Sequence, residues 1–204
     1  MLEIAVLGLL NESPMHGYEL RKRLAATLGA FRAFSYGSLY PTLRRLSEAG
    51  WITEEAPLAQ PSVRRSRRGK RVYQLTAEGK EHLAELLADV GPDAFDDDGF
   101  GARLALFAQT RSDIRMQILE GRRRRVVERR DGMRSAFTRA GERLDRYTRE
   151  LHEHGLESVD REVRWLTELI EHERTGDADP AADPARTPPD ATETGGASPT
   201  TSSQ

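Results

Sequence analysis

The feature that most constrains the fold is a change in the apolar period at Gly50. Before it, Leu39, Leu43 and Leu46 lie on one face of a helical wheel, which predicts a short helix with one buried side. After it, WITEE and RVYQLT are predicted to be two short strands, and apolar and polar residues alternate in the second. The segment between them, APLAQPSVRRSRRGK, contains two prolines and five basic residues. A helix is thus followed by a hairpin with a long basic tip.

Two more helices are predicted before this unit. Residues 2–10 are compactly apolar, which favours a buried helix, and NESPMHG is a turn. In YELRKRLAATLG, Leu20, Leu24 and Leu28 recur at steps of four and define a second helix. Helix, turn, helix and a strand pair with a basic tip, in this order, indicate a winged helix-turn-helix domain over residues 1–90.

Residues 91–111 are predicted to be a linker with a short helix, after a fourth helix that Thr76 caps. The acidic cluster in GPDAFDDDGF suggests calcium. However, the loop pattern D-x-[DN]-x-[DN]-G fails, because Phe95 occupies the second ligand position counted from Asp93. We therefore expect this stretch to connect two domains, with a metal site as the alternative.

A seven-residue apolar repeat dominates the chain after this linker. It predicts one long helix over residues 112–153, ended by Gly155, and a second helix with an apolar stripe from Leu156 to Ile170. Two such helices joined by a tight turn make an antiparallel hairpin, a domain of residues 112–174. A thin hairpin cannot bury two apolar stripes alone, so a homodimer is predicted. The predicted interface consists of Met133, Phe137, Leu144, Tyr147, Leu151, Val163, Leu166 and Ile170.

The exposed face of the third predicted helix has an unusual composition. Gly37, Ser38 and Pro41 make its N-terminal end small and flat, and Arg44 and Arg45 make the next turn cationic. A helix N-terminus favours phosphate, and arginine binds phosphate or guanine, so this face suits the major groove of DNA. The proline fits if the helix starts near Ser38, where no amide donor is lost. The alternative is that the flanking tyrosines are core residues and the arginines are solvated.

Two arginine-rich segments carry further positive charge. The hairpin tip VRRSRRGKR places six basic residues within eight positions, which favours a nearby polyanion, with a solvated basic loop as the alternative. Arg122–Arg125 surround the long helix, with Arg123 on the projected seam. We expect a solvated segment whose partners, such as Glu128, lie on the same helix, and DNA backbone contact is the alternative.

The charge and composition of the chain limit the classes of function that it could have. Residues 1–80 carry 13 Lys/Arg and 7 Asp/Glu, whereas residues 81–174 carry 17 and 21, so a basic first domain belongs to a mildly acidic chain. The chain has no cysteine and no P-loop, G-x-S-x-G or H-E-x-x-H motif, so no enzyme, cofactor or metal is predicted. The N-terminal apolar run is too short to span a bilayer, which indicates a cytoplasmic protein. Residues 175–204 have no aromatic residue and no Leu, Ile, Val or Met, which predicts a disordered acidic tail.

A different class of function stays open at this point. A coiled-coil interaction protein whose basic loop binds an acidic partner would explain residues 112–170. It would not explain the pattern of the front segment. Binding of duplex DNA at moderate salt separates the two hypotheses.

Three segments, LGLLNESPMHGYELRKRL, FSYGSLYPTLRRLSEAGWI and RVYQLTAEGKEHL, closely resemble the PadR family of bacterial transcriptional regulators, over residues 1–85. The C-terminal hairpin resembles that of the longer, two-domain subfamily, which dimerises through it, and the Ala- and Arg-rich composition resembles actinobacterial members. The resemblance implies a homodimeric repressor on double-stranded DNA, and a two-fold dimer implies an inverted-repeat operator. Some members of the family release DNA on binding phenolic acids or other planar hydrophobic molecules.

The resemblance also implies which residues contact DNA. They lie at the second helix, at the start of the third helix and on the wing. Arg45, from the exposed face of the third helix, and Lys70, from the basic tip, complete the predicted set. The full set is Tyr18, Ser35, Tyr36, Gly37, Ser38, Tyr40, Arg44, Arg45, Arg64, Arg65, Arg67, Arg68, Lys70 and Arg71. An effector pocket between the two domains would use the available aromatic residues Phe95, Phe100, Phe107 and Trp165. Plain packing is the alternative, because Phe100, Leu104 and Phe107 stand at helical spacing.

Overall fold

Two groups of helices surround two apolar cores, and a small sheet belongs to the first. The computed structural model describes residues 1–29, 36–55, 71–140 and 144–176, with the backbone only at residue 36. The elements are α1 (Leu2–Glu12), β1 (Met15–His16), α2 (Gly17–Leu28), α3 (Leu39–Glu48), β2 (Ile52–Glu55), β3 (Val72–Leu75), α4 (Ala77–Ala88), α5 (Phe100–Leu104), α6 (Ser112–Ala140) and α7 (Arg146–Thr175). This mainly helical fold, with a small sheet and a C-terminal helical hairpin, confirms the predicted fold class.

The first core is organised around α1. All residues of this helix from Ile4 to Leu10 are buried, as the compact apolar run predicts. Helix α2 adds Leu20, Leu24 and Leu28, which are also buried. Each buried leucine-sized side chain contributes roughly 1.5–3 kcal/mol, so these leucines account for much of the stability of the first core.

Three antiparallel strands in the order β1–β3–β2 lie against this core. Strands β2 and β3 form the predicted hairpin, with Ile52 opposite Leu75, and Tyr73 and Leu75 are buried as the alternation predicts. The sequence does not predict β1, because a strand of two residues is too short to show an alternating pattern. This strand pairs Met15 with Tyr73 and so ties the turn before α2 to the hairpin.

Two helices flank the hairpin in the chain, and both agree with the sequence pattern. In α3, Leu39, Leu43 and Leu46 are at most 1% exposed, so the predicted leucine stripe is confirmed. Helix α4 follows Thr76, whose Oγ1 accepts a hydrogen bond from the amide of Gly79 at 2.9 Å. This bond satisfies one of the first amides of the helix and confirms the predicted N-cap.

The segment after α4 is packed against both cores. The short helix expected there is α5, in which Ala102 belongs to the first core and Phe100 to the second. Beyond α5, Gln109 donates a hydrogen bond from Nε2 to the carbonyl oxygen of Gly8 at 3.2 Å. Residues 91–111 thus contain a short helix and connect the two cores through buried contacts.

The hairpin of α6 and α7 turns earlier in the chain than the repeat predicts. Helix α6 ends at Ala140, and α7 begins at Arg146. Asp145 caps α7, since its carboxylate accepts hydrogen bonds from the amides of Tyr147 and Thr148. The seven-residue spacing of apolar residues continues from α6 into α7. In the sequence, the residues of these two helices therefore resemble the seam of one continuous helix.

The predicted helix end at Gly155 is wrong, because this residue lies inside α7. A Cβ at this position would come within 3.0 Å of Cε of Met133, so the glycine permits a close approach of α7 to α6. Helix α7 ends instead at Thr175, and Gly176 follows with φ at 72°. Side chains with a Cβ rarely adopt this left-handed conformation, which explains a glycine here.

Part of the predicted dimer interface fills the core of the single chain. Leu166 and Ile170 are 0% exposed in the second core, whereas Tyr147 and Leu151 are 82% and 70% exposed. The remaining residues of the predicted dimer interface are half-buried, namely Met133, Phe137, Leu144 and Val163. The assignment of Leu166 and Ile170 to an intermolecular seam is corrected, because the packing of α7 against α6 in the same chain already buries them.

No helix in the described residues is both long enough and apolar enough to cross a membrane. Of the predicted tail, residues 177–204 lie outside the described residues, and Thr175 and Gly176 belong to the end of α7.

Candidate nucleic-acid interface

The exposed face of α3 combines small and cationic residues. A 3-10 turn leads into the helix, and Pro41 stands in the first turn of α3, where its missing amide hydrogen removes no helical hydrogen bond. Gly37, Ser38, Tyr40 and Arg44 are all exposed on this side. The start of the helix therefore presents backbone and hydroxyl groups, and a positive charge follows one turn later.

Two tyrosines of the predicted set are exposed. Tyr18 on α2 is 70% exposed and Tyr40 on α3 is 59% exposed. A Cβ placed on Gly17 would lie 3.7 Å from Cε1 of Tyr40 and 3.3 Å from Cε2 of Tyr73. The rings of Tyr40 and Tyr73 therefore both lie next to the start of α2. Tyr73 is buried in the core, whereas Tyr40 is not, and its ring is accessible from the α3 side.

The two arginines of α3 have different surroundings. Arg45 donates a hydrogen bond from Nη2 to Oε2 of Glu3 at 2.7 Å, and its side chain is still 62% exposed. Arg44 has no ion-pair partner among the residues that the structure describes. One cation of this face is thus neutralised by α1, and the other faces solvent.

Arg71 stands at the base of the wing and pairs with Glu54 across the hairpin. Glu54 also lies opposite Tyr73 on the neighbouring strand. Burial, and then the negative charge of Glu54, raise the pKa of Tyr73 above its ordinary value. The other residues predicted to contact DNA lie outside the described part of the chain. They are Ser35, the side chain of Tyr36, Arg64, Arg65, Arg67, Arg68 and Lys70.

Arg122, the first residue of the run Arg122–Arg125 on α6, has a structural role. This side chain is 7% exposed and donates hydrogen bonds to Oδ1 of Asp97 at 2.6 Å and, from Nε, to Oε1 of Glu162 at 2.9 Å. Its guanidinium carbon lies 5.2 Å from the ring centroid of Phe100, within cation–π range. The expectation of a solvated segment is wrong for Arg122, because its partners come from the acidic segment and α7.

The acidic segment that suggested calcium is engaged in internal contacts. Oδ1 of Asp96 accepts hydrogen bonds from the amides of Asp98 at 3.0 Å and Gly99 at 2.5 Å, which closes a tight turn before α5. The guanidinium of Arg122 holds the pKa of Asp97 below its usual value, mainly through their hydrogen bond. Within the described ranges, no group of three or more histidine or acidic residues could hold a metal ion.

Sequence reasoning missed the buried arginines. Arg115 is 4% exposed and donates a hydrogen bond from Nη2 to Oε1 of Glu173 at 2.6 Å, which links the two ends of the hairpin. Arg103 is 9% exposed and donates to the carbonyl oxygen of Leu86, and burial lowers the pKa of this arginine. A signal was present, because Arg115 and Arg122 occupy positions of the stripe that also contains Ile118, Leu119 and Val126.

The four aromatic residues proposed for an effector pocket lie close together, but they pack as core. Phe100 is 3% exposed, and its ring centroid lies 6.2 Å from that of Trp165 in an edge-on arrangement. Phe95, Phe107 and Trp165 are partly buried against the second core. None of the four lines the groove on the hairpin or the cavity near α2, and an effector pocket at these four residues stays a prediction.

A cavity of about 250 Å³ lies between α1, α2 and the α5 region. Its apolar wall includes Leu9, Leu24 and Leu106, and Glu12 and Arg23 pair beside it at 3.4 Å. The cavity therefore lies where the first core meets the segment leading to the second, but its residues differ from those that the sequence suggested.

Residues 6–85 match the transcriptional regulator PadR-like family. The negative transcriptional regulator PadR of Bacillus subtilis (strain 168) is 30% identical to this chain over 87 residues, which cover 43% of this chain and 45% of that protein. The matched region thus spans less than half of the length of this relative.

Two solved structures show a similar but distant architecture. The crystal structure of Bacillus subtilis PadR in complex with operator DNA has 19% identity and a TM-score of 0.40, over 84% of this chain and 98% of that chain. The crystal structure of the same protein in complex with p-coumaric acid has 19% identity and a TM-score of 0.39, over 85% of this chain and 98% of that chain. The assignment rests on the sequence match over residues 6–85, and the matched family consists of transcriptional regulators rather than enzymes. Residues 6–85 of this chain therefore carry a domain of the transcriptional regulator PadR-like family.

Proposed function

We propose that this protein is a sequence-specific DNA-binding repressor that acts as a homodimer on an inverted-repeat operator. The observation that carries the proposal is the exposed face of α3, where Gly37 and Ser38 precede the cationic turn at Arg44. The major groove of DNA is about 12 Å wide and admits one α-helix. The match to the PadR-like family over residues 6–85 supports the same assignment.

Each part of the interface has a distinct role in this proposal. The amide groups at the start of α3 approach phosphates, and the hydroxyl of Tyr40 reaches a phosphate or a base edge. Arg44 binds the O6 and N7 atoms of guanine if it reaches the groove floor, or else a phosphate. Arg71 and the basic wing tip contribute charge along the DNA backbone, which raises affinity without reading sequence.

Exposed apolar residues of the C-terminal hairpin support the proposed homodimer. Tyr147 and Leu151 lie four residues apart on one face of α7, and both are exposed. A groove of about 420 Å³ on the hairpin contains Val127 and Val163 beside Arg123. A two-fold dimer built on this hairpin would present two copies of α3 to half-sites roughly one helical turn apart, about 34 Å.

Fluorescence anisotropy with labelled duplexes tests this function. One duplex carries the promoter region of the protein's own gene, and the other is a scrambled sequence of equal length and composition. We expect the promoter duplex to bind roughly a thousand-fold more tightly or better at physiological salt. Footprinting should show an inverted repeat, and transcription in vitro should fall when the protein is added.

Other outcomes would contradict the proposed function or a part of it. Equal affinity for the two duplexes would contradict sequence-specific recognition, and protection of a direct repeat would contradict a two-fold dimer. A chain that binds acidic polypeptides but no duplex would favour the coiled-coil interaction protein. Light scattering should give twice the chain mass of 22.9 kDa.

A small aromatic acid is the effector class that the cavity between α1, α2 and the α5 region supports. Its wall is mostly apolar, and Arg23 at its edge could bind a carboxylate, although it is now paired with Glu12 at 3.4 Å and Glu19 at 3.3 Å. The solved complex of Bacillus subtilis PadR with p-coumaric acid supports the same ligand class. Because the cavity lies between the DNA-binding domain and the segment that leads to the hairpin, a ligand there would alter the relation between the two.

Titration calorimetry with p-coumaric acid tests the effector. We expect binding to the wild-type protein and a loss of binding in Ala105→Phe, whose ring would fill the cavity. The variant should remain folded by circular dichroism, because Ala105 is exposed. Binding of the acid that Ala105→Phe does not reduce would place the effector elsewhere.

A further inference from the structure

The carboxylate of Glu3 bridges two helices of the DNA-binding domain. Its Oε2 accepts a hydrogen bond from Nη2 of Arg45 on α3 at 2.7 Å, and its Oε1 lies 2.8 Å from Nε2 of His82 on α4. The side chain of Glu3 is only 23% exposed, whereas that of Arg45 is 62% exposed. A largely sheltered acid thus holds an arginine whose guanidinium remains accessible from outside.

His82 is itself fixed from two sides. Its ring stacks on that of Trp51, with centroids 3.6 Å apart and planes inclined by 14°. Its Nδ1 lies 3.7 Å from a carboxylate oxygen of Glu85 on the same helix. Because this ring is held in place, Glu3 would keep one hydrogen-bond partner even if Arg45 moved away.

Arg45 belongs to the exposed face of α3 but lies at its edge. On a helix with about 100° per residue, Arg45 is about 140° from Tyr40 and about 100° from Arg44. Tyr40 lies beside Gly17 at the start of α2, so the opposite edge of the face is the one nearest α1 and α4. Phosphate and Glu3 therefore compete for the same guanidinium, since both are anions that arginine binds through its planar set of donors.

Building on the proposed function, we propose that Glu3 is an intramolecular competitor of DNA for Arg45. In the free protein the carboxylate neutralises one of the two arginines of α3. When DNA binds, a phosphate replaces Glu3 at the guanidinium, and Glu3 keeps its contact with His82. Until this contact is displaced, Glu3 neutralises the charge of Arg45, which lowers affinity for DNA of any sequence and makes Glu3 a determinant of background binding.

Glu3→Asp is the sharpest test, because it keeps the net charge. Aspartate is one methylene shorter and cannot hold both Arg45 and His82 at the distances found for Glu3. An exposed ion pair contributes about 0.2–1 kcal/mol, so its loss from the free protein should raise DNA affinity up to roughly five-fold. Anisotropy with a random duplex at low salt measures this change, and Glu12→Asp, next to Arg23 and away from α3, is the matched control.

The dependence on Arg45 decides the interpretation. In an Arg45→Gln background, Glu3→Asp should no longer change the affinity. A gain that persists there would overturn the inference, and so would weaker binding by Glu3→Asp alone, which would mean that Glu3 positions Arg45 for DNA.

If Glu3→Asp does not fold by circular dichroism, Glu3→Gln with Glu12→Gln as control gives the same comparison. A wild-type protein that binds no duplex would overturn the proposed function as well, whereas unchanged binding by a folded Glu3 variant overturns only this inference.

Discussion

Arg122 of α6 donates a hydrogen bond from Nη1 to Oδ1 of Asp97 at 2.6 Å, although the two residues are 25 positions apart in the chain. The arginine is 7% exposed, and Nε of the same guanidinium donates to Glu162 on α7 at 2.9 Å. One side chain therefore connects the acidic segment before α5 with both helices of the hairpin. A buried charged group thus packs against Phe100 of the second core.

Removing this arginine should destabilise the protein markedly. Arg122→Ala removes the buried cation that Asp97 and Glu162 share, and both carboxylates keep a contact with Arg129, at 3.1 and 2.8 Å. Hydrogen bonds to charged groups contribute about 1.5–3 kcal/mol each, so we expect a loss of roughly 2–3 kcal/mol in the free energy of unfolding, measured by urea denaturation. Arg125→Ala, an exposed neighbour on α6, should change it by about 0.5 kcal/mol or less. Similar effects of the two variants would contradict the structural role of Arg122.

The same contact predicts a dependence of stability on acid. The Arg122 hydrogen bond lowers the pKa of Asp97 below its ordinary value of 3.8 in the folded state. The stability contributed by this carboxylate is therefore present above about pH 4 and is lost as the pH falls through the lower, folded value. Its size stays below about 1 kcal/mol, because solvent screens a side chain that is 64% exposed. Thermal melts at pH 7 and pH 3 should show a smaller difference for Asp97→Asn than for wild type or Asp93→Asn.

Two leucines of α7 should respond in different ways to substitution. Leu151 is exposed, so Leu151→Asp should leave the fold intact and weaken the proposed dimer by placing a charge in its apolar seam. Leu166 is fully buried, so Leu166→Ala should cost about 2–5 kcal/mol of stability through the lost contacts and the cavity. Light scattering and thermal melts of both variants measure the two effects. A Leu151→Asp protein with the mass of the wild-type dimer would remove this residue from the interface.

Local sequence signals predicted the DNA-binding domain well. The leucine stripe of α3, the alternation in β3 and the Thr76 cap of α4 each depend on residues close together in the chain. Such patterns follow directly from helix and strand periodicity, so a single sequence reveals them. The exposed face of α3 follows from the same wheel, because burial of one side exposes the other.

Contacts between distant segments were harder to predict. The partners of Arg122 lie at Asp97 and Glu162, and no local pattern joins them. The turn between α6 and α7 was misplaced because Ala140 and Tyr147 keep a seven-residue spacing while lying on different helices. Asp145 was the available signal, since aspartate is a favoured N-cap residue, but a continuous apolar repeat hid it. The cavity near Leu106 depends on how three segments meet, which periodicity does not encode.

Helix α3 and the wing should contribute differently to DNA affinity. Wing contacts act through counterion release, so Arg67→Ala with Arg68→Ala should weaken operator and random DNA alike. The salt slope of log K should also fall by roughly 1 for each lost phosphate contact. Arg44→Ala should instead weaken operator binding more, by about 1–3 kcal/mol if the arginine makes a bidentate contact with guanine. Arg44 lies opposite the buried leucines of α3, so the variant should remain folded by circular dichroism.

The central claim, that the exposed face of α3 reads DNA sequence, is tested most directly by one anisotropy measurement. Arg44→Ala and the double wing variant are titrated with operator and random duplexes over a range of salt concentrations. The ratio of operator to random affinity should fall about five-fold or more for Arg44→Ala, as 1 kcal/mol or more of base discrimination requires. It should stay at the wild-type value for the wing variant. If Arg44→Ala loses affinity equally for both duplexes, α3 only positions the protein on DNA, and the claim is contradicted.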